Sequence, residues 1–328
     1  MNRKMIICLV AGTLLSTGSF ADAQQAGKIC RIGFLDNSTA SGMGVLVEAF
    51  RQELSKLGWI EGKNIAIEYR FAEQKTERLP ELAADLVRLK VDLIVTSGTP
   101  SSLAAKSATT SIPIVMAQAG DPVGSGLVAS LARPGGNVTG FSNLSFELNT
   151  KRLEILKDAI PKLSRVGVLR TLGSALGDLQ LKEIRPAALT LKLKLEEIEA
   201  QPDAKGLESA FQTTKQKQVG AIMPISTRSF FAERKRIVEL AGKYRLPAIY
   251  FQKEFVDEGG LMSYGPDTAD LYRRAAVYVD KILKSAKPAD LPVQQATKFE
   301  FVINLKAAKQ IGLTLSPEFL ARANQVTK

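Results

Sequence analysis

No histidine occurs anywhere in the 328 residues. That absence excludes Ser-His-Asp and Cys-His nucleophile systems, HExxH zinc sites and imidazole acid–base chemistry. Cysteine is nearly as scarce, with only Cys8 and Cys30. Cys8 falls in a leader segment, and the one that remains cannot close an internal disulfide. Cys30, at the head of an apolar strand, reads as a small buried filler. The chain has no GxxxxGK[ST], GxSxG, SxxK or EF-hand pattern. Its acidic residues are spaced as helix-surface charges and form no metal cage. No catalytic residue, metal or cofactor is therefore expected. Beyond the leader, no apolar run is long enough to span a bilayer.

The leader is legible. Arg3 and Lys4 precede an apolar run over residues 5–15, and Ala21-Asp22-Ala23 forms an A-x-A site with cleavage expected before Gln24. Residues 1–23 read as a secretory signal peptide, the run being too short for a membrane anchor. Cys8 lies too early to accept a lipid at the cleavage point. A soluble mature protein follows, periplasmic in a bacterium, with no membrane anchor and expected to be a monomer. The formal charge is +11, falling to +10 once Arg3, Lys4 and Asp22 are removed. The lysines and arginines are dispersed over helix faces, so no nucleic-acid partner is expected.

Apolar strands alternate with helices. Strands are expected at 29–35, 65–71, 91–96, 112–116 and 138–141, and helices at 45–57, 79–89 and 100–108. The pattern restarts with a helix at 151–160, a strand at 165–169, a helix at 176–189 and a strand at 194–198. It continues with a helix at 207–215, a strand at 219–224, a helix at 230–243 and a strand at 246–251. A short strand at 261–264, a long helix at 268–284 and a strand at 299–303 complete it. Such alternation predicts parallel sheets covered on both faces, an α/β fold. The halves also match locally. Arg31-Ile-Gly-Phe-Leu35 answers Arg165-Val-Gly-Val-Leu169, and Ile112-Pro-Ile-Val115 answers Leu246-Pro-Ala-Ile249, both at an offset of 134. Val91-Asp-Leu-Ile-Val95 answers Val219-Gly-Ala-Ile-Met223 at an offset of 128. Two similarly built lobes follow, and ligands of open parallel sheets bind beyond the C-terminal strand ends.

Six blocks come in a telling order. They are Leu79-Pro-Glu-Leu-Ala83, Thr99-Pro-Ser-Ser-Leu-Ala-Ala-Lys106, Ile112-Pro-Ile-Val115, Gly120-Asp-Pro-Val-Gly-Ser-Gly-Leu-Val128, Pro134-Gly-Gly-Asn-Val-Thr-Gly140 and Phe301-Val-Ile-Asn-Leu-Lys-Ala-Ala308. The series resembles the ABC-transporter substrate-binding proteins whose best-known members bind tryptophan and other aromatic amino acids. The resemblance covers essentially the whole mature chain. It implies a type I periplasmic-binding architecture: two Rossmann-like lobes with parallel sheets, three crossover strands and a hinged cleft. It implies a small-molecule ligand, with an ABC permease and ATPase as partners. On that plan the N-terminal lobe holds residues 28–141 and 265–292, and the C-terminal lobe 142–264 and 293–328.

Candidate ligand contacts sit after the strands. Gly98 and Thr99 follow the strand at 91–96, with Thr99 expected as N-cap and Pro100 as the first helical residue. The amides of Ser101 and Ser102 would then face a carboxylate at the positive helix end. Gln118 follows the fourth strand. Gly124-Ser-Gly-Leu-Val-Ala129 fits G-x-G-x-x-A only formally, because that fingerprint belongs after a first strand. A tight turn at a helix entry is the better reading, with Asp121 either bracing the loop or facing the cleft. Ser142 and Asn143 suit a hinge, ligand contacts or both. Asp36, Asn37 and Ser38 follow the first strand, and Arg170 and Thr171 its counterpart. A zwitterionic amino acid would match Asp36 with its ammonium and Arg170, or the Ser101 and Ser102 amides, with its carboxylate. Ser226 and Thr227 repeat the cap logic in the second lobe, next to Arg228. Phe251 and Tyr264 suit either ligand stacking or core and hinge roles. Trp59 is expected to cover a helix end at Gly58. The chain thus reads as the solute-capturing component of an uptake transporter. The alternatives are an exported ligand-sensing receptor component and an exported α/β enzyme.

Overall fold

The computed structural model describes residues 29–328. The expected signal peptide lies outside the described residues. The first lobe is built from β1 (Cys30–Asp36), α1 (Ala40–Lys56), β2 (Ile65–Phe71), α2 (Leu79–Arg88), β3 (Leu93–Ser97), α3 (Thr99–Ala108), β4 (Ile114–Ala119) and β5 (Val138–Ser142). The chain then crosses into α4 (Glu147–Ala159), β6 (Arg165–Thr171), α5 (Ala175–Thr190), β7 (Lys194–Ala200), α6 (Ala204–Gln216) and β8 (Ala221–Pro224). There follow α7 (Arg228–Ala232), α8 (Arg234–Lys243), β9 (Ile249–Tyr250), α9 (Glu254–Asp257) and β10 (Met262–Pro266). It returns as α10 (Thr268–Leu283) and β11 (Gln294–Gln295), and crosses again to β12 (Phe299–Asn304), α11 (Leu305–Ile311), α12 (Pro317–Leu320) and β13 (Gln325–Thr327).

The first sheet has the order β11-β5-β4-β3-β1-β2 and is parallel throughout. Its strands are nearly continuous apolar runs because both faces are covered. Along β1 the side chains alternate. Ile32 and Phe34 join the core of α1 and α10, while Leu35 joins that of α2 and α3. Gly33 leaves room on the latter face, where a Cβ would come within 3.0 Å of Leu86.

In the second lobe, β7-β6-β8 and β13-β12-β10-β9 are joined through a parallel bridge between Ile222 and Ala248. Strand β10 is antiparallel to β12; the other described pairings there are parallel. The matched segments take corresponding places. Strands β1 and β6 each sit between the next two strands of their own lobe, and β4 follows β3 as β9 follows β8. The chain passes between the lobes three times, as the resemblance implied. Gln294 and Gln295 pair with Phe141 and Ser142 in the first sheet, so the last passage follows them at residues 296–298.

Several local expectations need correction. Helix α1 begins five residues before the expected start. Thr39 caps it by accepting from Gly42 N at 3.1 Å, although Gly42 and Gly44 make the segment read as loop. The single helix expected over 230–243 is two, α7 and α8, meeting at Glu233. No helix follows the Gly124–Ala129 block; it is a chain of turns braced by Gly124 N donating to Asp121 Oδ1 at 2.8 Å. Cys30 is half-buried against the main core, not fully enclosed.

Candidate functional site

The C-terminal strand ends of both lobes face each other across a cavity of about 910 Å³. One wall comes from the loop after β1, the start of α2, the first turns of α3 and the end of β4. The other comes from the loops after β6, β7 and β8. Both central strands, β1 and β6, stand where chain order reverses across the sheet, which opens a crevice at their C-terminal ends.

On the first wall, α3 is capped by Gly98 and not by Thr99. Gly98 takes φ +85° and ψ 154°, backbone open to glycine alone. Thr99 becomes the first helical residue and its Oγ1 accepts from Gly120 N at 3.2 Å. Ser102 is also engaged. Its amide and hydroxyl both donate to Gly98 O, at 3.2 and 2.9 Å, and the hydroxyl meets Thr96 Oγ1 at 2.7 Å. Ser101 Oγ is buried with no hydrogen-bond partner among the described residues. Gln118 Oε1 accepts from Asn143 Nδ2 at 2.9 Å, tying the end of β4 to the first passage between lobes. Ser142 Oγ donates to Gly120 O at 3.3 Å and lies behind the wall. Asp121 braces its own turn and does not line the cavity.

Asp36 and Arg170, expected to face the cleft from opposite lobes and take the two ends of a zwitterionic solute, do not line the cavity. Arg170 turns back into its own lobe, reaching Asp178 at 2.7 Å, Glu197 at 3.2 Å and Glu199 at 3.7 Å. Those carboxylates, on α5 and β7, hold it away from the cavity lining. Asp36 is fully buried behind the lining. Its Oδ1 accepts from Ser38 N at 2.7 Å. The neighbouring Ser97 hydroxyl is shared with Tyr272 Oη at 2.5 Å. Burial pushes the Asp36 carboxyl up to about 6, against the opposing pull of Arg228, the Ser38 amide and Ser97.

Sequence reasoning reaches Arg228 only as part of the second lobe's cap and not as a ligand contact, although it follows β8 as Thr99 follows β3. It lines the cavity, yet is 7% exposed. Its stem crosses to the first lobe, where a Cβ at Gly98 would lie 3.1 Å from Arg228 Cγ. One terminal nitrogen donates to Gln252 Oε1 at 2.8 Å, and the guanidinium lies 5.0 Å from the centre of the Phe231 ring. The other terminal nitrogen has no acceptor among the described residues.

Of the remaining candidates, Asn37, Thr171, Ser226 and Thr227 line the cavity. Asn37 Nδ2 donates across the cleft to Ser229 Oγ at 3.4 Å. Thr171 Oγ1 is buried without a partner among the described residues. Thr227 caps α7 by accepting from Phe230 N at 3.1 Å. Ser38 is buried behind Asn37. Phe251 is core, its ring 4.9 Å from that of Phe255, and Tyr264 packs against Phe301. Neither lines the cavity. Tyr264 O instead accepts from Arg152 Nε at 2.6 Å, and Arg152 donates on to Asn149 Oδ1 at 2.7 Å. Asn149 donates to Gln180 Oε1 at 3.0 Å, and Gln180 Nε2 donates to Ser226 O at 3.2 Å, so the second wall is fixed to the β10 passage. Gln74 and Phe146, absent from the sequence-based set, also line the cavity. Gln74 Nε2 donates across it to Glu233 Oε1 at 3.0 Å.

Two parallel-sheet lobes, three passages and a cavity shared between facing strand ends define a two-lobed binding protein of the type I periplasmic-binding architecture. The chain belongs to the family of ABC transporter substrate binding proteins, whose model matches residues 39–327. It is 30% identical over 272 residues to a tyrosine-binding protein of Clostridioides difficile, covering 81% of this chain and 76% of that one. A conserved domain protein from Vibrio cholerae has a similar structure, with a TM-score of 0.84 and 28% identity over 92% of this chain and all of that one. An ABC domain from Streptococcus pneumonia in complex with L-Trp gives a TM-score of 0.80 and 27% identity over 90% of this chain and 99% of that one. The solute-binding role is that of the family. Among the described residues no helix is long and apolar enough to cross a membrane, and no group of three acidic or cysteine side chains forms a metal site.

Proposed function

We propose that the mature chain works in the periplasm, closes on an amino acid or a related carboxylate solute, and delivers it to a membrane permease driven by an ATPase. The observation that carries this reading is the cavity of about 910 Å³ lined by the strand-end loops of both lobes. A solute touching both walls gains contacts only when the lobes close, so it biases an open–closed equilibrium. The bodies that move are residues 29–141 with 269–295 and residues 147–265 with 299–328. The crossing segments near residues 142–146, 266–268 and 296–298 act as the hinge. Leu79, Leu103, Phe146, Leu172 and Leu176 supply an apolar lining for the body of the solute. The tyrosine-binding relative and the L-Trp complex support an amino-acid ligand.

A thermal-shift screen of the mature protein, unfolded and refolded to strip bound solute, tests this. The panel holds amino acids, aryl carboxylates, nucleosides and sugars. A ligand at about a hundred times its Kd stabilises the folded state by about 2.7 kcal/mol, a readily visible rise in Tm. The expected result is a shift with carboxylate-bearing compounds and no turnover of them. No shift with any compound, or consumption of one, contradicts the proposal.

A further inference from the structure

The charges of the cleft are distributed unequally. Among the described residues, only two that line it are charged, Glu77 and Arg228. Glu77 is exposed at the rim, where water screens it. Arg228 lines the cavity while more than nine-tenths buried, and one of its terminal nitrogens has no acceptor among the described residues. An unmatched buried donor on a charged group is costly, and a bound oxyanion would satisfy it.

We infer that Arg228 anchors the bound solute through a carboxylate, and that the solute's amino group, where it has one, is not required for binding. The inference rests on the proposed solute-binding role and narrows it. Three further features point the same way. Helix α3, of 10 residues, presents its positive N-terminal end beside Arg228, whose stem lies over the Gly98 cap. Thr171 Oγ1, on a residue that lines the second wall, is buried and without a partner among the described residues, ready to donate. Asp36, the carboxylate expected to take an ammonium, is closed off behind the lining and braced by the Ser38 amide. It acts on Arg228 and not on the solute. A protonated amine therefore meets no buried carboxylate in the cavity lining.

Matched compounds on phenyl, 4-hydroxyphenyl and indolyl bodies separate the groups. For each body, calorimetry on refolded mature protein compares the amino acid, the 3-arylpropanoate that lacks the amine, and the 2-arylethylamine that lacks the carboxylate. The expected result is a propanoate within about tenfold of its amino acid on at least one body, with the amine at least about 100-fold weaker, the scale of a charge-assisted hydrogen-bond set. Arg228→Gln should weaken carboxylate binding about 100-fold, and Arg228→Lys should recover part of it. Equal binding by the amine, a propanoate more than about 100-fold weaker than its amino acid, or undiminished carboxylate binding by a folded Arg228→Gln protein overturns the inference. If the variant fails to fold, the matched compounds on the wild type decide alone. If every carboxylate fails while a sugar or nucleoside raises Tm in the wider screen, the carboxylate anchor falls and solute binding stands. If nothing binds in either experiment, both fall.

Discussion

Asp36→Asn should stabilise the protein at neutral pH and leave it unchanged near pH 4. The Asp36 carboxyl is raised by burial from 3.8 to about 6. The native state therefore holds this proton more tightly than the unfolded chain does. The resulting stability is fully present below about pH 4 and is lost as pH rises through about 6. A shift of about two units corresponds to about 3 kcal/mol. Asparagine removes the charge but keeps an Oδ1 acceptor for the Ser38 amide. The variant should therefore be more stable by up to about 3 kcal/mol at pH 7.5, equivalent to several degrees of Tm. Urea melts of both proteins from pH 4 to pH 8 measure it directly. The reasoning is refuted if Asp36→Asn is less stable at pH 7.5 by about 3–5 kcal/mol. That is the cost of breaking a well-formed buried ion pair, and it would mean that Asp36 and Arg228 hold each other directly.

The same group links solute binding to protons. Asp36 is faced by Arg228 from α7, Tyr272 from α10 and Ser97 from β3, so a carboxylate held at Arg228 raises it further. Calorimetry near pH 6.5 in buffers of different ionisation enthalpy should then show proton uptake, with affinity rising as pH falls toward 6; proton release would indicate ammonium recognition. Gly98→Ala places a side chain at φ +85° and 3.1 Å from Arg228 Cγ, and should cost about 1–3 kcal/mol in a denaturant melt. Trp59, the single tryptophan, lies outside the cavity lining and donates to Asp280 Oδ1 at 2.8 Å. Its fluorescence should follow unfolding and change little when solute binds.

The alternation of strands and helices was legible because doubly covered parallel strands are written as unbroken apolar runs. The location of the cleft was legible too, since strand ends follow from strand order. What stayed hidden depended on distant partners. Arg170 lies near the C-terminal end of β6 and Arg228 opens α7 just after β8, and nothing local tells them apart. Asp178, Glu197 and Glu199 draw Arg170 away, while Gly98 on the other lobe makes room for Arg228. Phe251 and Tyr264 end strands as a ligand-stacking residue would, but Phe255 and Phe301 fold over them. Thr99 looked like a cap by composition. Gly98 takes that place because its backbone enters the helix at positive φ, leaving the threonine hydroxyl to hold Gly120. The break between α7 and α8 carries no glycine or proline to announce it.

A crystal structure of the refolded mature protein, grown with a carboxylate that raises Tm in the screen, would bear most directly on where the solute sits. The expected result is density for that compound between the start of α3 and the Thr171–Arg228 wall, in contact with both lobes, its carboxylate on Arg228. Density confined to one lobe's outer surface, or a compound bound with both lobes in place and the cleft unfilled, would contradict capture between them.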